Sequence, residues 1–369
     1  MGNANSAIRK GAWLALCTSA ALVAPWSPVQ AGRPIQEHRI ADPQGEIEIV
    51  NVAGSVEVIG WSKGEVDVSG TAGADVERVD VAGTPNHTSI HVVSRSSHSW
   101  GSDGEARLVV HVPAGSAVTA TLVSADFKVS GVLGDLKLQA VSGTVSGDSG
   151  GNIRAGTISG DVKLTARAAK SIEIKTISGD VHLVGGGGDV VITTISGSAT
   201  ADLGDVSRGR FKTVSGDVAA SLSLMPDGQI EGESVSGNLG FKFFGEPAAE
   251  FDVQSLSGGI ANCFGPKPVE AEYGPGSRLQ FTNGEGRGRV RVNTKSGEVR
   301  LCDKGAKRPK GANDAKGAND TERANDGEGA SESKVPSSAY VPKRSNGSAG
   351  TVLAVARVRK CPWSVPYVF

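Results

Sequence analysis

The stretch KTISGDVHL, Lys175 to Leu183, is echoed one repeat earlier by GTISGDVKL, Gly156 to Leu164. Taken alone, Ser178-Gly179-Asp180 has the residue types of a nucleophile elbow or a cation site. An active site is normally written once, so repetition points to architecture. Aligning the chain on the serine before glycine gives Ser142, Ser159, Ser178, Ser196, Ser215, Ser236, Ser257 and Ser296, with a degenerate copy at Ser124-Ala125. Successive steps from Ser124 run from 17 to 21 residues, giving rungs of about 18–21 residues, except for the longer step of 39 residues from Ser257 to Ser296. A fixed period near 20 is the signature of a solenoid or array.

The columns around the serine set the secondary structure. One residue before it stand Val123, Val141, Ile158, Ile177, Ile195, Val214, Val235 and Leu256, and three after it stand Phe127, Val145, Val162, Val181, Ala199, Val218, Leu239, Ile260 and Val299. Apolar pairs four and six residues before it include Leu138 with Leu136, Ile174 with Ile172, and Val292 with Val290. Short segments with apolar residues at every second position, split by glycine, are strands with one buried face. The expected fold is therefore all-β: a β-solenoid whose equivalent residues stack ~4.8 Å apart. Ile177, Val181 and Leu183 are expected to point into the shared core. The eight serines serve as structural turn residues, with a hydroxyl free to bond nearby backbone or the serine of the next rung and a glycine supplying unusual backbone angles.

The pattern recurs upstream in GEIEIVNVAGSVEVIGW, Gly45 to Trp61. Ala53 stands in the serine place, and Ile47, Ile49, Val52, Val56 and Val58 fill the apolar columns. The period is lost between Trp61 and Ala106, which marks residues 32–117 as a β region of longer, irregular strands that begin or cap the repeats of 118–302. Residues 303–369 include KGANDAKGANDTERANDGEGASESK, a polar low-complexity run with almost nothing to bury, and are expected to be a disordered tail. At the other end Arg9 and Lys10, the apolar run Ala12 to Ala24, and Val29-Gln30-Ala31 compose a signal peptide over residues 1–31. The expected location is outside the cytoplasm, in the periplasm or at the cell surface. No apolar run of membrane-spanning length follows.

Of the four cysteines, Cys17 leaves with the signal. Cys263 and Cys302 each lie six residues after a repeat serine and so share one column. If the 39-residue step is one rung with an excursion, they are neighbours within disulfide reach; if it is two rungs, they are ~9.6 Å apart and beyond it. The excursion is favoured because GPKPVEAEYGPGSR, Gly265 to Arg278, lacks the apolar columns. A Cys263–Cys302 disulfide clamping the last rung is expected, leaving Cys361 unpaired.

The chemistry classes narrow quickly. A formal charge of −1 argues against nucleic acid as partner. A serine hydrolase elbow needs Gly-x-Ser-x-Gly between strand and helix, whereas Ile177 precedes Ser178 and no helical spacing follows. Two residues after the serine stand Thr144, Asp161, Asp180, Ser198, Asp217, Asn238, Gly259 and Glu298, a vocabulary of turns rather than a calcium ligand set. No catalytic residue, cofactor or metal site is expected.

The export signal, the opening GEIEIVNVAGSVEVIGW and the run of Thr/Ser–Ile/Val/Leu–Ser–Gly–Asp/Asn–Val/Leu repeats resemble the DUF4097 family of exported bacterial envelope proteins with β-strand repeats, over about Glu37 to Cys302. The resemblance implies a β-helix and an adhesin label without a defined ligand or transferable catalytic residues. The leading expectation is a non-enzymatic, adhesin-like envelope scaffold that binds an envelope polymer or protein. An envelope-stress sensor with a ligand-binding solenoid, or a polysaccharide-acting enzyme on a β-helix, are the alternatives.

Overall fold

One rung shows how the chain builds the rest. In β12 (Ser171–Thr176) Ile172, Ile174 and Thr176 are buried and the residues between them face outward; Ile177-Ser178-Gly179-Asp180 then turns the chain into β13 (Val181–Gly185), where Val181, Leu183 and Gly185 are buried. Each rung thus contributes one strand to each of two parallel columns. The computed structural model describes residues 32–95, 104–270 and 275–301. The expected leader, the tail, Cys17, Cys302 and Cys361 lie outside the described residues.

In the first column β8 (Leu136–Ser142), β10 (Ile153–Thr157), β12 and β14 (Gly188–Thr194) pair in parallel, followed by the second halves of β15 (Ala199–Thr213) and β16 (Val218–Ser234). In the second run β9 (Val145–Ser149), β11 (Val162–Ala166), β13, the first halves of β15 and β16, and β17 (Leu239–Phe243). Register keeps equivalent residues side by side, so Ile172 faces Ile153 and Val190 while Val181 faces Val162 and Ala199. The two columns share one core. Phe211 of the first packs edge-on against Phe241 of the second at 5.5 Å, and Phe243 against Phe251 at 6.1 Å. Each fully buried Val, Ile or Phe contributes about 1.5–3 kcal/mol relative to exposure, and no rung is long enough to bury its own apolar face.

Spatial order departs from sequence order at the far end. β18 (Ala249–Ser255) and β19 (Ile260–Asn262), the rung of Ser257, do not pair with β16 and β17. The rung of Ser296, β22 (Gly288–Thr294) and β23 (Val299–Leu301), lies between them: β22 pairs with both β16 and β18, and β23 with both β17 and β19. The expected excursion is the segment that makes this return possible. Within it β20 (Val269–Glu270) and β21 (Ser277–Thr282) form an antiparallel ribbon, and β21 covers the outer edge of β18, with Phe281 stacked on Phe251 at 4.5 Å. The rung that ends the stack is therefore that of Ser257, and the rung reaching toward Cys302 is the one inside it. Adjacency in the column holds, since Asn262 pairs with Leu301 and the Cys263 N–H donates to the Leu301 carbonyl at 3.0 Å.

At the near end β2 (Glu46–Trp61) is a full rung that begins the stack. It pairs along its length with β7 (Ala117–Val132), Ala53 beside Ser124 and Val56 beside Phe127. Its other edge carries β5 (His87–Ser94) and β6 (Ala106–Pro113), also parallel. Beyond them the direction reverses: β4 (Val76–Thr84) closes β5, β3 (Glu65–Ala72) closes β6, and β1 (Arg33–Ile40) closes β3, all antiparallel. Antiparallel ribbons thus border the stack at both ends.

The corner glycines are required by crowding more than by backbone angle. Among these residues Gly143 has φ +110°, but Gly160, Gly179, Gly197, Gly216 and Gly237 do not occupy the left-handed region. A Cβ on Gly216 would lie 1.9 Å from the Gly197 carbonyl oxygen, and one on Gly237 1.8 Å from that of Gly216. By contrast, a Cβ on Gly156 meets only the Leu138 oxygen at 3.9 Å. Gly216→Ala is therefore expected to destabilise by about 1–3 kcal/mol or more, and Gly156→Ala to be neutral or slightly stabilising, in urea unfolding of the purified chain. Equal effects at the two sites would refute the crowding account.

Candidate functional site

Most corners are held by side chains at the same three positions, although Ala140 replaces the buried hydroxyl before Ser142 and Thr144, Ser198, Asn238 or Gly259 replaces the carboxylate in four corners. The repeat serine donates through both backbone and side chain to the carbonyl of the residue just before the serine of the neighbouring rung. Ser178 N–H and Oγ reach Ile158 O at 2.9 and 3.3 Å, and Ser196 N–H and Oγ reach Ile177 O at 2.8 and 3.3 Å. Ser159, Ser215, Ser236, Ser257 and Ser296 do the same to Val141, Ile195, Val214, Lys295 and Val235, and Ser142 Oγ reaches Val123 O at 3.2 Å. The hydroxyls are committed to backbone and the serines are structural. Between serines a contact is made by Ser142 to Ser124 at 3.3 Å.

The second side chain is a buried hydroxyl two residues before the serine. Thr157, Thr176, Thr194, Thr213, Ser234, Ser255 and Thr294 are all buried. Their oxygens bridge the corner: the Gly179 N–H donates to Thr176 Oγ1 at 3.0 Å, and the Gly216 N–H to Thr213 Oγ1 at 2.9 Å. The third is the carboxylate after the glycine. Asp161 Oδ1 accepts the Asp180 N–H at 3.1 Å, Asp180 Oδ1 the Ser198 N–H at 2.9 Å, and Asp217 Oδ1 the Asn238 N–H at 2.8 Å. These carboxylates bind the next rung's backbone, which explains their stacking without a cation. Among the described residues no group of three His, Cys, Asp or Glu side chains is placed to hold a metal ion.

The column immediately before the serine overturns the core expectation. Ile177 does not point inward; it is 45 % exposed, because Thr176 takes the inward place and the strand alternation then puts Ile177 outside. The same holds from Val52 (41 %) through Val123, Val141, Ile158 (47 %), Ile195 and Val214 to Val235, while Val181 and Leu183 are buried as expected. In spatial order these eight residues form one unbroken aliphatic ladder, ~34 Å long at the spacing of paired strands. Lys295 then interrupts it and Leu256 ends it.

Beside the ladder lies a groove. For the rungs of Ser196, Ser215, Ser236 and Ser296 it holds about 510 Å³, with Ile195, Val214 and Val235 on one wall, Lys212 and Glu233 on the other, and the threonine column as floor. At the terminal rung it opens into a second cavity of about 1070 Å³, lined by Gln254, Leu256, Val269, Glu270, Arg278 and Gln280 among others. This second cavity exists because the antiparallel ribbon begins where the repeats stop. The strict alternation of buried positions could have revealed the ladder from sequence; the terminal cavity is made by the excursion, which has no repeat to read.

Charged side chains elsewhere on the first column are tied across rungs. Arg154 and Lys175 both reach Glu173, at 2.8 and 2.5 Å, Arg210 reaches Glu231 at 2.8 Å, and Arg208 pairs with Asp189. Hydrogen bonds from Lys175 and Arg154 hold the Glu173 carboxyl below its usual range, and the Arg210 guanidinium does the same to Glu231. Arg208 lowers Asp189, and Arg300 lowers Glu298.

Residues 45–302 match the family described as Toastrack DUF4097. The chain belongs to that family. No curated protein matches it. Among solved structures it is similar to a "putative cell adhesion protein" from Clostridium sporogenes ATCC 15579, at 9% identity and TM-score 0.25, covering 73% of this chain and 98% of that one. It is also similar to a "putative adhesin" from Bacteroides fragilis NCTC 9343, at 9% identity and TM-score 0.32, covering 73% and 96%, and to one from Parabacteroides distasonis ATCC 8503, at 13% and 0.34, covering 73% and 98%.

Two predictions follow from the corner geometry and the ion pairs. Ile177→Asp, at an exposed position, is expected to change stability by no more than about 0.5 kcal/mol, whereas Val181→Asp, buried, is expected to lose several kcal/mol; chemical denaturation of each variant distinguishes them. The four lowered carboxylates contribute stability that is present above their unfolded pKa and lost as pH falls through the folded values. The melting temperature is expected to hold from neutrality to about pH 5 and to drop below it, with Glu173→Gln showing a shallower acid limb.

Proposed function

We propose that the protein is a non-enzymatic, exported envelope scaffold of adhesin-like type that binds an envelope polymer or protein outside the cytoplasm. The observation that carries this reading is the terminal cavity of about 1070 Å³, the place where a periodic molecule offers a one-off recess combining apolar Leu256 and Val269 with polar Gln254, Glu270, Arg278 and Gln280. A recess with an apolar wall and a few converging polar groups is the usual form of a ligand site. The repeat supports a binding role over catalysis, since each side-chain type is spread over many rungs and the serines and aspartates are occupied with backbone. The leader read in residues 1–31 supports export. No helix among the described residues is long and apolar enough to cross a membrane.

Cys263 and Cys302 are proposed to form a disulfide in that oxidising environment, joining the end rung to the rung inserted beside it. The register supports it, because Asn262 and Leu301, the residues just before them, are paired. Mass spectrometry of the unreduced, digested protein is expected to show the linked peptides; both thiols alkylated without reduction would refute the bond.

The binding role is tested with the purified full chain and isolated cell-wall polymer in a co-sedimentation assay. Binding is expected to saturate, and Leu256→Asp together with Arg278→Glu to weaken it at least tenfold with the thermal melt unchanged. Binding that is indifferent to both substitutions would exclude the terminal recess. Protease added to intact cells separates the two locations: degradation places the protein at the surface, protection in the periplasm.

A further inference from the structure

The aliphatic ladder is a separate surface from the terminal recess, and we infer that its partner is a second copy of this chain, docked ladder to ladder about a two-fold axis parallel to the stack. Four observations converge on that occupant.

The first is pitch. The ladder repeats every ~4.8 Å over eight rungs, from Val52 to Val235. An extended peptide presents same-face side chains every ~6.7 Å, and a helix repeats every 5.4 Å, so either drifts out of step within a few rungs. Another ladder of the same rungs stays in step throughout.

The second is relief. For the rungs of Ser196, Ser215, Ser236 and Ser296 the ladder forms a ridge, with the groove of about 510 Å³ on one side of it. A two-fold axis parallel to the stack, placed between ridge and groove, carries each ridge into the other copy's groove. An axis across the stack sets ridge against ridge and leaves both grooves empty.

The third is charge. On the far side of the ladder from the groove stand Asp126, Asp161, Asp180, Asp217 and Glu298, of which Asp161 pairs with Lys163 and Glu298 with Arg300, while the groove side carries Lys175, paired with Glu173, and Lys212, paired with Glu233. The parallel axis preserves the rung, so it sets Lys175 against Asp180 of the second copy and Lys212 against Asp217, each pair occurring twice. The crosswise axis sets the acidic column against itself, and like charges opposed across an interface are unfavourable.

The fourth is area. Five residues across the corner span at most ~17 Å and eight rungs ~34 Å, a footprint of up to roughly 600 Å² per copy before side-chain relief is added, approaching the ~800 Å² per partner of a stable interface. Lys295, at the end of the aliphatic run, bounds the contact.

Sedimentation velocity of the full chain from 0.1 to about 100 µM tests this, with concentrations chosen to span micromolar association. A monomer–dimer equilibrium is expected, and Ile177→Asp with Ile195→Asp is expected to weaken it at least a hundredfold. Both positions are exposed, so the melting temperature of that variant checks that it folds. A monomer throughout, or a dimer unchanged in the folded double variant, would overturn the inference. The axis is tested by Val123→Cys and Val235→Cys, near opposite ends of the ladder, each oxidised alone and then mixed, against the parent chain's own cysteines as baseline. The parallel axis predicts crosslinked dimers in each single sample. Crosslinks that arise in the mixture alone would mean the copies run in opposite directions and would overturn the axis. Dimerisation and wall-polymer binding are read separately: ladder variants leave Leu256 and Arg278 intact, so failure of one proposal does not carry the other with it.

Discussion

The structure depends on how closely one corner can approach the next. The carbonyl of each residue before the serine accepts two donors from the following rung, the serine N–H and its Oγ. That pairing brings successive glycines so near that a Cβ would sit about 2 Å from a carbonyl oxygen at Gly179, Gly197, Gly216, Gly237, Gly258 and Gly297. Serine supplies the extra donor, glycine the room, and the buried threonine bridges the backbone that this tight path would otherwise leave unpaired. Val162, Val181 and Ala199 stack in register because the corner fixes where each strand begins.

The same constraint makes the exposed ladder unavoidable. With the preceding residue inward, threonine or serine from Thr157 onward and Asn51, Leu122 or Ala140 before it, the next residue must face solvent. A polar residue would satisfy the fold there, as Lys295 does. Yet Val or Ile occupies the site in all the rungs from Val52 to Val235. The fold does not require aliphatic side chains in that column, which is why they are informative about what the surface meets.

The period, the two strands per rung and the upstream copy at Ala53 were legible in the sequence because register repeats what spacing implies. The ladder was legible too, but only through parity. Ile172, Ile174 and Thr176 share one parity and Ile177 breaks it; hydrophobicity alone assigns Ile177 to the core, since nothing in its identity tells an inward isoleucine from an outward one. Threonine at an inward position looks polar until its partner, the glycine N–H three residues on, is known. Asp180 read as a turn former proved to be a link to Ser198, a contact between rungs that a single repeat cannot display. The terminal recess was not legible, because Val269, Glu270 and Arg278 belong to a segment without a pattern.

The order of the last rungs was hidden for a deeper reason. Each rung presents nearly the same edge, so local sequence does not specify whether β17 pairs with the strand that follows it or with one sixty residues later. What selects the outcome is the other edge of β18. Phe251 and Val253 need cover, and the excursion supplies Phe281 and Leu279 on β21 to provide it. With β21 attached, β18 has one edge closed and one open, as β16 does. The rung of Ser296 satisfies both open edges at once: Ser296 bonds Val235 and Gly297 lies against Gly237 as in sequential rungs, while Thr294 accepts the Gly297 N–H within its own corner. Placed instead beyond β18, with β18 against β16, it would displace β21 and with it Phe281 and Leu279 from beside Phe251 and Val253. The sandwiched rung therefore closes the stack from within, and the ribbon closes it from outside.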